Sequence, residues 1–286
     1  MSKADAPPLC LPARPLRSGG DLRLPAGTCD SHFHVFAPGA PLTSPRSYTP
    51  RLQTLTGWLD LADSFGIARG VLVQPSVYGL NNTVLLDALC LAPHRLRGIV
   101  VIAADTPMSE IARLDGLGVR GVRINLRNKG GVGLGALAEL APRIKALGWH
   151  VQFQVGPDAI GTVARLCGQY DITGVIDHLA FMALDAPETA LEDLQRGLDS
   201  GRVYTKISAP YRLKDNSSSD GYRSVVQKLA QDHADRLVWG SDWPHTELFD
   251  TMPEDDDLVA LSLAAVPGRS HDLVFTQTAR RLYWSH

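Results

Sequence analysis

Two kinds of stretch alternate along the chain. Short apolar runs rich in Val and Ile predict strands at 70–75, 97–103, 120–126, 149–155, 173–178 and 203–208, with another around Trp239. Between them, helical periodicity predicts helices at 55–65, 81–91 with Asn81 as cap, 109–117, 136–147, 158–170, 187–199 and 221–232, and two more helical stretches follow Trp239. Gly118 and Gly148 stand where two of those helices should stop. With the run through His32 and His34 as the first strand, the pattern is eight strand–helix units. Strict alternation predicts right-handed βαβ units and a parallel sheet, and eight units predict a closed (β/α)8 TIM barrel, class α/β. The competing open doubly wound sheet would favour a Gly-x-Gly-x-x-Gly after the first strand, and none is there. Residues 1–25, rich in Pro, Gly, Ala and Arg, read as an N-terminal arm, and 26–286 as the barrel domain.

A barrel of this kind carries its chemistry at the C-terminal ends of its strands. Polar residues gather there: His32 and His34, Gln74 and Ser76, Arg123 and Asn125, Gln152 and Gln154, Asp177 and His178, Lys206 and Ser208, and Asp242. On the fourth strand Val122, Ile124 and Leu126 alternate with Gly121, Arg123 and Asn125; on the fifth Val151, Phe153 and Val155 alternate with Gln152 and Gln154. The polar set of each should face the barrel interior. By the same alternation Asp30, His32 and His34 share one face of the first strand, and Cys29, Ser31, Phe33 and Val35 the other, which makes Cys29 a core residue turned from the histidines. Two imidazoles so placed converge on one point, suited to a metal ion or a polarised carbonyl.

Composition narrows the class. The 286 residues are 44% hydrophobic and 20% charged, an ordinary globular balance. A net charge of −2 argues against a nucleic-acid binder. Cys10, Cys29, Cys90 and Cys167 form no Cys-x-x-Cys pair and read as reduced thiols of a cytoplasmic protein. No signal-peptide or membrane-spanning run is visible.

The order His-x-His on the first strand, His at the end of the sixth and Asp at the end of the eighth is that of the amidohydrolase superfamily. Asp30-Ser31-His32-Phe33-His34-Val35-Phe36, Arg46-Ser47-Tyr48-Thr49-Pro50, Gly118-Val119-Arg120-Gly121-Val122-Arg123 and Val175-Ile176-Asp177-His178 resemble the 2-pyrone-4,6-dicarboxylate lactonase family within it. So do Trp239-Gly240-Ser241-Asp242-Trp243-Pro244-His245 and Arg281-Leu282-Tyr283-Trp284. The resemblance implies hydrolytic opening of a small anionic lactone, in the catabolism of aromatic or sugar acids. Asp242 would take a proton from water while His32, His34 and His178 polarise the carbonyl. It implies substrate-carboxylate binding by Tyr48, Arg123 and Arg212. Ser76, Gln154 and His245 join them as candidate pocket residues, and either Arg127 or Lys129 would replace a further family Arg.

Departures lie in the substrate shell: a Gly-rich loop, 130–135, read as flexible, Gln154 in place of an aromatic hydroxyl, and apolar Leu179-Ala180-Phe181-Met182 after His178. The fourth and fifth strands lack the carboxylated Lys, Glu or His of metal-dependent relatives, so no cofactor is expected. Zinc or manganese, if bound, would sit on His32, His34, His178 and Asp242. The alternatives are a metal-dependent decarboxylase or lactone isomerase acting on a carboxylated substrate, and an acid-binding barrel without turnover. Lys206 is expected to pair with Asp177 or Asp242, and the acidic run 254–257 to be a solvated first helical turn. A homo-oligomer is left open.

Overall fold

Eight parallel strands lie side by side in chain order within one sheet. In this computed structural model, which describes residues 6–17, 22–183, 188–213 and 219–285, they are β1 Cys29–Phe33, β2 Arg69–Val73, β3 Leu96–Val100, β4 Val119–Asn125, β5 His150–Gln154, β6 Gly174–Ile176, β7 Val203–Ser208 and β8 Leu237–Gly240. The α-helices are α1 Leu55–Phe65, α2 Thr83–Leu91, α3 Met108–Gly116, α4 Leu137–Lys145, α5 Ile160–Tyr170, α6 Glu188–Asp199, α7 Ser219–His233, α8 Asp255–Ala265 and α9 Thr278–Trp284. The sheet closes where β8 runs on past its end: Asp242 N–H donates to the His32 carbonyl, and His34 N–H to the Trp243 carbonyl, both at 2.8 Å. This is the (β/α)8 barrel that the alternation predicts.

Outward-facing strand residues such as Phe33, Leu72, Val100, Val122, Phe153 and Trp239 pack with the helices in the main core. Fully burying each such side chain stabilises the fold by roughly 1.5–3 kcal/mol. Gly70 has no room for more: a Cβ there would lie 2.3 Å from the Trp58 ring of α1. Inside the barrel, Cys29, Val71, Val73, Ile99, Val175 and Val238 form a second cluster with Ala279, Leu282 and Tyr283 of α9. The guanidiniums of Arg69 and Arg97 each lie 5.2 Å from the Trp284 ring, fastening α9 there. An apolar plug thus fills one half of the barrel interior and leaves the polar residues the other.

Several local expectations change. The β1–β2 register shifts between Asp30 and Phe33. That irregularity breaks the alternation. Asp30 therefore turns outward with Phe33, accepting from Trp58 Nε1 at 2.9 Å while Phe33 stacks on the same indole at 4.0 Å. Cys29 turns inward, reversing the expected faces of both, while His32 and His34 still converge. β6 ends at Ile176 rather than His178. The chain then runs through His178, Leu179, Ala180 and Phe181 with φ of 50, 50, 56 and 55°, a left-handed turn of four non-glycine residues. The second helix begins at Thr83, whose N–H bonds to Asn81 Oδ1. Asp255, in the first turn of α8, is buried rather than solvated. The predicted start at Pro187, and residues 1–5 and 18–21 of the arm, lie outside the described residues. The arm's described part packs on the barrel's own loops: Cys10 N–H donates to Thr49 O and Leu11 N–H to Leu248 O, both at 2.9 Å. Cys10, Cys29, Cys90 and Cys167 are free thiols, and no described helix is long and apolar enough to cross a membrane.

Candidate active site

The bulge in β1 aims His32 and His34 at one point, and their Nε2 atoms lie 3.2 Å apart. His34 Nδ1 is 2.7 Å from the Val73 carbonyl, an acceptor only, so this nitrogen carries the proton. In neutral His34 the Nε2 is then a lone pair, and His32 Nε2–H must donate to it. His32 Nδ1 in turn faces Lys206 Nζ at 3.2 Å and accepts from it. Lys206 also donates to the Ser31 carbonyl and to Gln152 Oε1, both at 2.8 Å, and pairs with Asp177 Oδ1 at 3.4 Å. Asp177, and not Asp242, is therefore its partner. Arg123 spans from Gln74 O to Asp177 Oδ2, at 3.1 and 3.2 Å.

The left-handed turn after β6 carries His178 into the same space. Its Nδ1 lies 2.7 Å from Ser208 Oγ on β7, and its ring is 4.6 Å from that of His32. Asp242 completes the set, itself left-handed at φ 61°. Its Oδ2 accepts from Arg212 Nε at 2.6 Å and from Tyr211 at 2.7 Å. Its Oδ1 lies 3.6 Å from Nε2 of both His32 and His178 and has no hydrogen-bond partner among the described residues. Asp242, His32, His34 and His178 are all buried.

Burial sets much of the electrostatics. It pushes His34 down to about 3, helped by Arg123, and His178 down to about 4 against the pull of Asp242. His32 falls well below the ordinary range through burial and then Lys206. Burial, the largest single effect, disfavours the Asp242 carboxylate too, but Arg212 and after it the histidines together outweigh it and hold the acid well below its usual range. The site therefore rests as neutral imidazoles around an ionised aspartate. Lys206 is lowered to about 8, burial being the main cause.

His32, His34 and Asp242 offer ligand atoms within 4.8 Å of one another, as do His32, Asp177 and His178. Imidazole nitrogens beside an unpartnered buried carboxylate oxygen fit a divalent metal such as zinc or manganese.

A small cavity opens over this cluster, lined by His34, Tyr48, Ser76, Arg123, Gln154, His178, Arg212 and Asp242. Asn128, Thr246 and Glu247 also line it, and the sequence reading missed all three. Asn128 is placed by the fold of the Gly-rich loop, where Asn125 Oδ1 accepts from the N–H groups of Arg127 and Asn128. The loop is packed: a Cβ on Gly130 would meet Ser76 O at 2.5 Å and one on Gly131 would meet Asn125 Cβ at 2.8 Å. The only sequence signal for Glu247 was its closeness to Asp242.

Arg127, Lys129 and His245 are not among the lining residues. Arg127 is exposed, with its guanidinium 3.9 Å from the Phe181 ring centre, and Lys129 is exposed. His245 is fully buried between Tyr211, 2.9 Å from its Nδ1, and Asp255, 3.0 Å from its Nε2. It ties the loop behind Asp242 to the first turn of α8.

A family model described as amidohydrolase matches residues 29–284. The chain is 32% identical over 280 residues to the 2-pyrone-4,6-dicarboxylate hydrolase of Comamonas testosteroni, covering 92% of each chain. It is 35% identical over 261 residues to the 4-sulfomuconolactone hydrolase of Rhizobium radiobacter, covering 85% of each. A crystal structure from Acinetobacter baumannii, designated a probable 2-pyrone-4,6-dicarboxylic acid hydrolase and carrying citric acid, matches with a TM-score of 0.80 at 26% identity, over 90% of this chain and 99% of that one.

Proposed function

The chain belongs to the amidohydrolase family, and from that premise we propose that it hydrolyses a small anionic lactone, with Asp242 as the base. The observation that carries this reading is the free Asp242 Oδ1, buried and 3.6 Å from the Nε2 atoms of His32 and His178. An ionised carboxylate oxygen with no donor of its own is ready to take a proton. Water attacks the lactone carbonyl carbon as its proton passes to Asp242 Oδ1, and the carbonyl oxygen gains the charge. With Ser208 donating to His178 Nδ1, the His178 Nε2–H is the histidine donor left to stabilise that oxyanion, and the cations Lys206 and Arg123 lie behind the imidazoles. Such an oriented donor is worth roughly 3–4 kcal/mol in a buried site. Collapse breaks the ring C–O bond, and Asp242 returns the proton to the leaving oxygen. Names of related hydrolases support the substrate class: both act on lactones that carry acidic groups.

Zinc or manganese held by His32, His34, His178 and Asp242 would supply Lewis-acid polarisation of the carbonyl. Turnover does not require it, because Arg212 already grips Asp242 and two further cations, Lys206 and Arg123, sit beside the histidines. The test is ultraviolet-monitored hydrolysis of 2-pyrone-4,6-dicarboxylate, muconolactones and sugar-acid lactones, with and without chelator. Turnover that survives chelation is expected. Activity abolished by chelator and restored by zinc would overturn metal independence, and silence on every lactone would overturn the hydrolase reading.

A further inference from the structure

The cavity's charges do not match a doubly acidic ligand. Arg212 spends Nε on Asp242 and Nη2 on the Thr246 carbonyl, at 2.6 and 2.7 Å. Arg123 spends both Nη atoms on Gln74 and Asp177, and its buried Nε has no acceptor among the described residues. Arg127 is turned out onto Phe181, and Lys129 is exposed. One anionic group can be met by what Arg123 and Arg212 leave free; a second finds no unspent cation among the lining residues.

The opposite requirement is also present. Glu247 brings a carboxylate to the cavity, its Oε1 accepting from Asn128 Nδ2 at 2.6 Å. The backbone of Glu247 is left-handed, φ 63°, and its N–H is tied to Cys10 Sγ at 3.3 Å, so its placement is fixed by a conformation that a glutamate rarely adopts. Gln154 also lines the cavity, is 4% exposed, and its Oε1 has no donor among the described residues. A buried acceptor without a donor is costly unless the ligand supplies one.

We propose that the substrate is a lactone carrying one anionic group and hydroxyl substituents that donate to Glu247 and Gln154, and that Glu247 is the specificity-determining residue that rejects a second carboxylate. The proposal rests on the lactonase reading of the site and narrows it. A second carboxylate would lie against Glu247, and like charges brought together in a confined site are disfavoured. A hydroxyl there gains a charge-assisted hydrogen bond instead.

Two non-hydrolysable ring acids separate these cases. Isophthalate carries two carboxylates in 1,3 relation, and 3-hydroxybenzoate replaces one of them with a hydroxyl. Calorimetric titration of the whole protein is expected to show 3-hydroxybenzoate binding about tenfold tighter than isophthalate. In Glu247→Gln that preference should shrink to about threefold or less, chiefly through tighter isophthalate binding. Equal or tighter binding of isophthalate by the unaltered protein overturns the proposal, as does an undiminished preference in Glu247→Gln or failure of both acids to bind. Because the measurement needs no turnover, a protein that hydrolyses no lactone but shows this preference would sink the hydrolase reading alone.

Discussion

Asp242 is held from behind and free in front, and the two halves of its carboxylate have separate tasks. Arg212 and Tyr211 occupy Oδ2, while Oδ1 faces the histidines. Asp242→Asn keeps the shape and loses the base, so kcat should fall by roughly 10³-fold or more in the folded variant, which also loses stability because Arg212 is left without its buried counter-charge. Unchanged turnover, measured by stopped or continuous assay, would remove Asp242 from the mechanism. Acidification should do little at first. His34 and His178 gain protons only near about 3 and about 4, and Asp242 is ionised below its usual range. kcat/KM is therefore expected to be level from about pH 5 to 7. The alkaline side differs. Burial, with Arg123 adding to it, makes the Lys206 ammonium lose its proton near about 8 rather than 10.5. As pH rises through that value the positive charge beside His32 disappears, and kcat/KM should drop. Lys206→Met should lower the plateau and abolish that limb; an identical limb in the variant would assign it to another group. Strand ends put His32, His34, His178 and Asp242 on a longer polar list in the sequence, and the family resemblance singled them out as a candidate set. Tyr211 and Glu247 were not legible, because each lies in a loop whose path no periodicity reports.

At the scale of elements, the strands read well and their ends badly. β7 falls on the predicted 203–208, and the inward polar set of β4 and β5 follows from simple alternation. The bulge in β1 and the left-handed turn after β6 were invisible, since neither has a glycine or other residue that signals it. The turn is strained: a left-handed residue other than glycine costs roughly 1–2 kcal/mol. At Ala180, fully buried at φ 56°, the opposing effects can be weighed. Ala180→Gly relieves that strain but loses about 0.8 kcal/mol of methyl burial. It also loosens the unfolded chain by about 0.4–1 kcal/mol. Its urea-unfolding free energy should stay within about 1 kcal/mol of the parent. Ala180→Val, β-branched in the same conformation and overpacked, should lose at least about 2 kcal/mol. A valine variant as stable as the parent would show that the turn is not held left-handed. The arm is a second element with a task. Its pairing with Thr49 and Leu248 ties the Tyr48 loop to the Glu247 loop. Deleting residues 2–11 should raise KM more than it lowers kcat; the reverse result would place the arm's influence on the chemistry instead.

Over the whole molecule, the barrel divides into an apolar plug fastened by α9 and a polar cavity at the opposite end. That division was foreseen only in its polar half, because nothing in the local pattern of 278–284 says that Tyr283 enters a barrel. The near balance of charge, −2 overall, is mirrored in the cavity. The cations Arg123 and Arg212 stand there against Asp242 and Glu247.

The closure of the barrel also has a history. Ser241 bonds Asp30 through its N–H and its hydroxyl, at 2.8 and 2.6 Å, across 211 residues of chain. A ribosome adding about 5–20 residues per second needs on the order of 10–40 s to cover that distance. Through that interval His32 and His34 have left the ribosome without their aspartate, and the free edge of β1 has no neighbour. A nascent or prematurely ended chain therefore has no lactone chemistry, and for that time it is a natural client for chaperones that shield an unpaired strand.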